Sequence, residues 1–466
     1  MKGVDSRRFR TSLPDKLDYL HGDRFLADED KASLASLFGN TYLSRNHDND
    51  QDNRSPRVIF FGSGFGELLI TRFLVQKLNS EGFPLHWWFT VLSDSFRKKM
   101  KSGINARNLL DIHNRSIIEV LDQTRPDLLC ILEHSYPFKM TTMMRLCSGW
   151  IQCPVFMLSA RANREWLDRT ALFGPGKKQL YKDSFKAVSY AVTDDLESAR
   201  ELRSFRIAED RIIMGHSLKW HTGRQRKSIK IRSKIRDQWH MDQSRNLVVM
   251  LASIHNSEIY PLLHMLRNHN KRGDIRIILA PHISLPPLHA SAVLIDLGFT
   301  YQRWSRLNER PQNDAEVILV DTYGDLATIY SAADLAYIGG GFDPQYHGHN
   351  VVEAIALRIP VIIGPDFSSF SSIVNPLLEN QGIEVARDFN QLSQIFNDLL
   401  TDKIRREQLA RKSFQVYQEY SCTEPAELLL LREYLRSFRG YSVPSEYSSF
   451  RSRSDSSAKR NPRQAV

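Results

Sequence analysis

Cysteine is scarce in this 466-residue chain. The four present, Cys130, Cys147, Cys153 and Cys422, form no CxxC pair. A disulfide framework is therefore not expected, a zinc site has no spacing support, and reduced cytosolic thiols fit best. Long apolar runs are also missing. Nowhere do about 18 apolar residues follow one another, so no transmembrane helix is expected. The N-terminal MKGVDSRRFRTSLPDK carries charge but no apolar core, which excludes a secretory signal. The basic stretches lack interleaved aromatics and RNA-binding motifs, so nucleic acid is not an expected partner.

Apolar residues make up 42% of the chain, enough for large cores, and its length allows two or three domains. The net charge of +10 favours anionic partners. Residues 1–56 read as a polar extension, partly disordered, and 441–466 as a disordered Ser- and Arg-rich tail. Between them, two series of apolar runs alternate with helical spacing. The first comprises RVIFF (57–61), HWWFTVL (86–92), DLLCIL (127–132), PVFMLS (154–159), AVSYAV (187–192) and RIIMG (211–215). The second comprises NLVVMLAS (246–253), DIRIILAP (274–281), EVILVD (316–321), LAYIGG (335–340) and PVIIGP (360–365). This pattern predicts an α/β protein with two doubly wound units, 57–220 and 244–400, followed by a helical segment at 401–440. The join, 221–243, contains RQRKSIKIRSKIR (224–236), with seven basic residues and no acid. It reads either as a solvated helix face or as contact with an acidic surface.

Ligands of open α/β sheets bind beyond the carboxyl ends of the strands, so residues after the strands deserve the closest reading. LASIHNSE places Ser253, His255, Ser257 and Glu258 between a strand and a helix, where Ser257 could cap the helix or hold phosphate. VDTYGDL offers the amides of Gly324, Asp325 and Leu326 to an anion or a base edge, while Asp321 could simply end its strand. In GHNVVEA (348–354), Asn350 and Glu353 have capping-box spacing. Glu353 could instead accept both hydroxyl protons of a ribose. FGSGFGE (61–67) follows the first strand, but its glycines are too evenly spaced for GxGxxG. Glu67 falls at a helix start, where the helix dipole favours its ionised form, the form required of a general base.

Taken together, these motifs resemble the 3-deoxy-D-manno-octulosonic acid (Kdo) transferases of lipopolysaccharide synthesis. The best stretch is 316–365. EVILVDTYGDLATIYSAADLAYIGGG resembles the family's VDTxGEL-to-GG run, GHNVVEA its GHNxxEP/A segment and VIIGPDFSSF its FGPHxxNF-like turn. LASIHNSE is similar to ASTHPGEE, HSLKW to GNLKxD with Lys219 on the family's lysine, and LSARANRE to NARLSxRS with Ala160 and Arg161 matched. SGFGE resembles SVGE, which puts Glu67 on the catalytic base. In APHISLP, Pro281 replaces the family's phosphate-binding arginine while His282 remains; LEHSYP retains one acid, Glu133, of an ETE segment.

The resemblance implies a GT-B fold of two facing Rossmann-like domains, an N-terminal acceptor domain and a C-terminal nucleotide-sugar donor domain. It implies inverting transfer from CMP-Kdo to a lipid A precursor, with no cofactor and no bound metal. Glu67 would be catalytic. Ser253, His255, His282, Gly324, Asp325, Leu326, His349, Asn350 and Glu353 would bind the donor, and Gly66, Glu133, Arg161 and Lys219 would line the cleft. The expected location is cytoplasmic, peripheral on the anionic cytoplasmic face of the inner membrane. Two other functions remain open: a GT-B enzyme using another nucleotide sugar, and a non-catalytic adaptor for anionic surfaces.

Overall fold

A computed structural model describes residues 55–91, 106–133, 137–161, 175–223, 229–238, 246–269, 273–282, 287–307, 315–322, 324–343 and 345–438. The expected N-terminal extension up to residue 54, the tail from 439, and parts of the basic join lie outside these ranges.

Seven strands form the first sheet: β1 (Arg57–Phe61), β2 (His86–Val91), β3 (Leu109–Asp111), β4 (Leu128–Leu132), β5 (Val155–Leu158), β6 (Val188–Thr193) and β7 (Ile212–Met214). Their order is β3-β2-β1-β4-β5-β6-β7, and the pairing is parallel throughout. A second sheet contains β8 (Leu247–Ile254), β9 (Ile275–Pro281), β10 (Tyr301–Arg303), β11 (Val317–Leu319), β12 (Leu335–Ile338), β13 (Val361–Ile363) and β14 (Glu384–Val385). It is also parallel, in the order β10-β11-β9-β8-β12-β13-β14. The central strands are continuous apolar runs because helices cover both faces of each sheet. In β4, all five residues of LLCIL are buried. Each sheet accordingly carries two cores, one per face.

Both sheets have a topological switch point where the strand order reverses, between β1 and β4 in the first and between β8 and β12 in the second. Such points open a crevice at the carboxyl ends of the strands.

The chain crosses between the two halves twice. At Leu218–His221, Leu218 packs in a core of the first sheet and Trp220, two residues on, in a core of the second. The described part of the basic join, residues 229–238, packs against the second half. Its Ile229–Gln238 helix buries Ile235, and Arg232 and Arg236 both pair with Asp334, the former at 2.8 Å. The return crossing follows the 20-residue Lys403–Cys422 helix. The Ala426–Phe438 helix then inserts Leu428, Leu430, Leu431 and Leu435 into the core that contains Val58 and Phe60. Each such leucine contributes about 1.5–3 kcal/mol relative to exposure. Tyr434 donates to the Asp127 carbonyl at 2.6 Å, and Arg432 pairs with Glu81 at 2.6 Å. Among the described residues no helix is long and apolar enough to cross a membrane.

Candidate active site

Glu67 lies in the first turn of the Phe65–Ser80 helix, directly after β1. The glycines before it make room for its side chain. A Cβ at Gly62 would come within 2.9 Å of Glu67 Cβ and 2.8 Å of the Phe89 ring, and one at Gly64 would collide with the Glu67 carboxylate. Gly66, by contrast, is exposed, and a Cβ there would meet nothing within 4 Å. Ser63 Oγ donates to Glu67 Oε1 at 3.3 Å. The helix dipole favours the ionised form of Glu67, but burial acts against it. Burial, followed by the charge of Glu133, pushes its pKa up to about 7. Desolvation of a carboxylate outweighs the dipole of one helix end.

Glu133 directly follows β4, across the switch point from Glu67, with a left-handed φ of 52°. Burial opposes its ionisation, but the charges of Lys219 and then Arg161 prevail and hold its carboxyl below the usual range. The Lys219 ammonium sits 2.6 Å from Glu133 Oε1 and 4.5 Å from the centre of the Phe370 ring. Arg161 follows β5, reaches Asp194 at 3.5 Å and donates to the Ser369 carbonyl of the second half. Ser372 Oγ donates to the same Asp194 at 2.8 Å. A cleft of about 290 Å³ results, with Glu133, Arg161 and Lys219 on one wall and Tyr346, Gly348, His349, Ser369 and Phe370 on the other.

The second wall rests on Glu258. Its buried carboxyl accepts from the amides of Gly340 at 2.9 Å and His255 at 3.2 Å, and from the Tyr337 hydroxyl at 2.9 Å. This pins the glycine loop after β12 to the start of the Asn256–His269 helix. Gly340, at φ 85°, must lack a Cβ because one would approach the His349 ring to 2.8 Å. A bulge at Ser253, φ 56°, turns the end of β8 so that His255 enters the same region. His255 is stacked on Tyr346, with ring centres 3.4 Å apart. Its Nε2 is 2.6 Å from His349 Nε2, and the His282 ring is 4.7 Å from that of His349. Burial, then the nearby His282, pushes His255 down to about 4 and His349 to about 3. Both rings are neutral at neutral pH.

Of the sequence candidates, Glu133, Arg161, Lys219 and His349 line this cleft, and the others, Glu67 included, do not. Gly324 faces Phe65 of the first half, 3.9 Å from where a Cβ would lie. Asp325 accepts from the Thr322 hydroxyl at 2.6 Å, and Leu326 opens a helix of only four residues. Asp321 holds Ser305 through both its amide and its hydroxyl. Asn350 and Glu353 do not form the expected capping box. Asn350 Oδ1 accepts from Val352 N at 3.1 Å, and the Val352–Ala356 helix starts without a side-chain cap. Glu353 is half-buried in that helix, and its charge, after burial, raises the pKa of Tyr330. Ser257 donates to Asp343 at 2.7 Å rather than capping its helix. His134, next to Glu133 in LEHSYP, lies outside the described residues.

Sequence reasoning missed Asp194, Tyr346, Ser369 and Phe370. The signal for Phe370 was present in VIIGPDFSSF, whose last residue supplies the ring beneath Lys219. Asp194 and Tyr346 carry no local mark.

The family model described as 3-deoxy-D-manno-octulosonic-acid transferase (kdotransferase) matches residues 38–222. A 3-deoxy-D-manno-octulosonic acid transferase of Chlamydia muridarum is 26% identical over 363 residues, covering 76% of this chain and 80% of the relative. The corresponding protein of Haemophilus influenzae is 27% identical over 397 residues, covering 82% and 88%. Among solved structures, Anabaena HepE with UDP and glucose aligns at a TM-score of 0.55 and 14% identity, covering 82% of this chain and 98% of that one. That likeness concerns the fold, a GT-B arrangement of two Rossmann-like domains. With sequence relatives of one kind spanning both halves, the chain is similar to the Kdo transferases along most of its length, on a glycosyltransferase fold.

Proposed function

We propose that the protein transfers Kdo from CMP-Kdo to a lipid A precursor, with inversion, at the cytoplasmic face of the inner membrane. The 57–220 unit holds the acceptor and the 244–400 unit the donor. The observation that carries this reading is Glu67, a buried carboxyl at the first switch point with its pKa raised to about 7, a value suited to a general base at neutral pH. The acceptor hydroxyl loses its proton to Glu67 as its oxygen bonds to the anomeric carbon. The bond from that carbon to the CMP phosphate breaks, and CMP leaves with the electron pair. Lys219 and Arg161 supply positive charge to the anionic reactants. Similarity to Kdo transferases and the cationic cleft wall support the reading.

The second reading, a different nucleotide-sugar donor, rests on Pro281, which stands where the family has a phosphate-binding arginine. One assay separates the two: CMP release from CMP-Kdo with a lipid A precursor, run beside other sugar nucleotides. Turnover confined to CMP-Kdo is expected. Turnover with another donor and none with CMP-Kdo would replace the first reading by the second.

A further inference from the structure

We propose that His255, His282 and His349 form a binding site for one divalent transition-metal cation of the zinc class, with an open coordination position facing the cleft. The three imidazoles come from three separate strand ends. His255 follows β8, His282 follows β9, and His349 lies in the loop after β12. Nothing in their sequence spacing brings them together; the switch point of the second sheet does. One ring nitrogen of each lies within 4.8 Å of the other two.

Tetrahedral zinc bound to imidazole at about 2.0–2.1 Å places neighbouring nitrogens about 3.3 Å apart. The His255–His349 nitrogen pair, at 2.6 Å, has to open, and the wider separations have to close, by roughly 1 Å or more. Rotation of rings about their side-chain torsions supplies shifts of that size. Three imidazoles without thiolate or carboxylate select zinc, copper, nickel or iron over magnesium or calcium. The same crowding argues against an anion site, because three imidazolium charges at this spacing repel one another.

The surroundings fit a bound cation. Tyr346 covers one face of His255. Asp343, anchored by the Ser257 hydroxyl and the Gln345 amide, places a negative charge near His255. The nearest opposing charge, Lys219, is paired with Glu133. Because His349 lines the cleft, a three-histidine site leaves its fourth position open there, the arrangement of sites that bind an exchangeable ligand.

The test titrates metal-stripped full-length protein with Co²⁺, followed by visible d–d absorption, and with Zn²⁺ by calorimetry, in the absence of any nucleotide. The expected result is one ion per chain with the intense visible bands of four-coordinate cobalt. His282→Gln and His349→Gln, both at partly exposed rings, should each weaken binding by at least about 100-fold while the thermal melt shows a folded chain. No saturable binding, affinity unchanged in both variants, or binding abolished by Cys422→Ser would overturn the site. Since the probe is the metal alone, the outcome does not depend on which donor the enzyme uses.

Discussion

Glu67 is subject to opposing demands. As the proposed base it must be ionised, yet it is buried and lies near a second carboxylate, Glu133, so its pKa rises to about 7. Lys219 acts in the other direction on both acids. Turnover limited by proton transfer to Glu67 should therefore climb with pH through about 7 and level off above it. Removing the Glu133 charge removes the second cause of that rise. Glu133→Gln should move the acid limb of the kcat/KM profile to lower pH, measurable by CMP release between pH 5 and 9. An unmoved limb would mean that the rate reports another group. Much of this chemistry could be read from the residues. SGFGE marked Glu67 as a helix-start carboxylate beside a strand. Its protonation could not be read, because desolvation depends on what the fold lays over the side chain, including Glu133, which lies 66 positions further along the chain. The histidine cluster was hidden for the same reason: each ring was visible as a residue after a strand, but their convergence belongs to the sheet order.

At the scale of elements, the long central strands were the legible part. RVIFF was read as β1 with its observed bounds, and ten other predicted strands fall within two residues at each end of those observed. The three missed strands, β3, β10 and β14, are two or three residues long and lie at or next to sheet edges. One-sided exposure and short length leave them without an apolar run. The Phe389–Thr401 helix stays with the second sheet through Leu392 and Phe396, and Ala426–Phe438 makes the return. That last helix also buries Glu427, whose carboxyl accepts from the Ser159 amide at 3.2 Å. Burial pushes Glu427 up to about 7. A folded-state pKa above the unfolded value means that its contribution is fully present below about pH 4.5 and is lost as pH rises through about 7. Wild-type stability should thus fall by up to about 3 kcal/mol more than that of Glu427→Gln between pH 4.5 and pH 8. Thermal melts of both proteins across that range check it; parallel curves would show that Glu427 titrates normally.

For the whole molecule, two parallel sheets meet across a cleft whose walls carry unlike chemistry, the Glu133 carboxylate with two cations on one side and the His349 imidazole with aromatic rings on the other. Arg161 and Asp194 stitch the halves together through Ser369 and Ser372, beside the site itself. The proposed lipid acceptor would require approach to a membrane, and the net charge of +10 supplies a means. Attraction to an anionic leaflet is worth about 1 kcal/mol per Lys or Arg near the surface. Arg232 and Arg236 already pair with Asp334, so other basic residues must carry that contact. Flotation with anionic vesicles at low salt should bring the protein up with the lipid and release it as salt rises. Protein left at the bottom at low salt would contradict peripheral binding.

The central claim is that this cleft performs glycosyl transfer with Glu67 as the base. Its most direct test is single-turnover CMP release from CMP-Kdo in the presence of a lipid A precursor, comparing wild type with Glu67→Gln, alongside CMP affinity by calorimetry. Glutamine keeps the size of the side chain and removes its basicity. The account predicts nearly unchanged CMP affinity and a rate reduced by about 10²–10⁴-fold. A folded Glu67→Gln enzyme that turns over at close to the wild-type rate would contradict it.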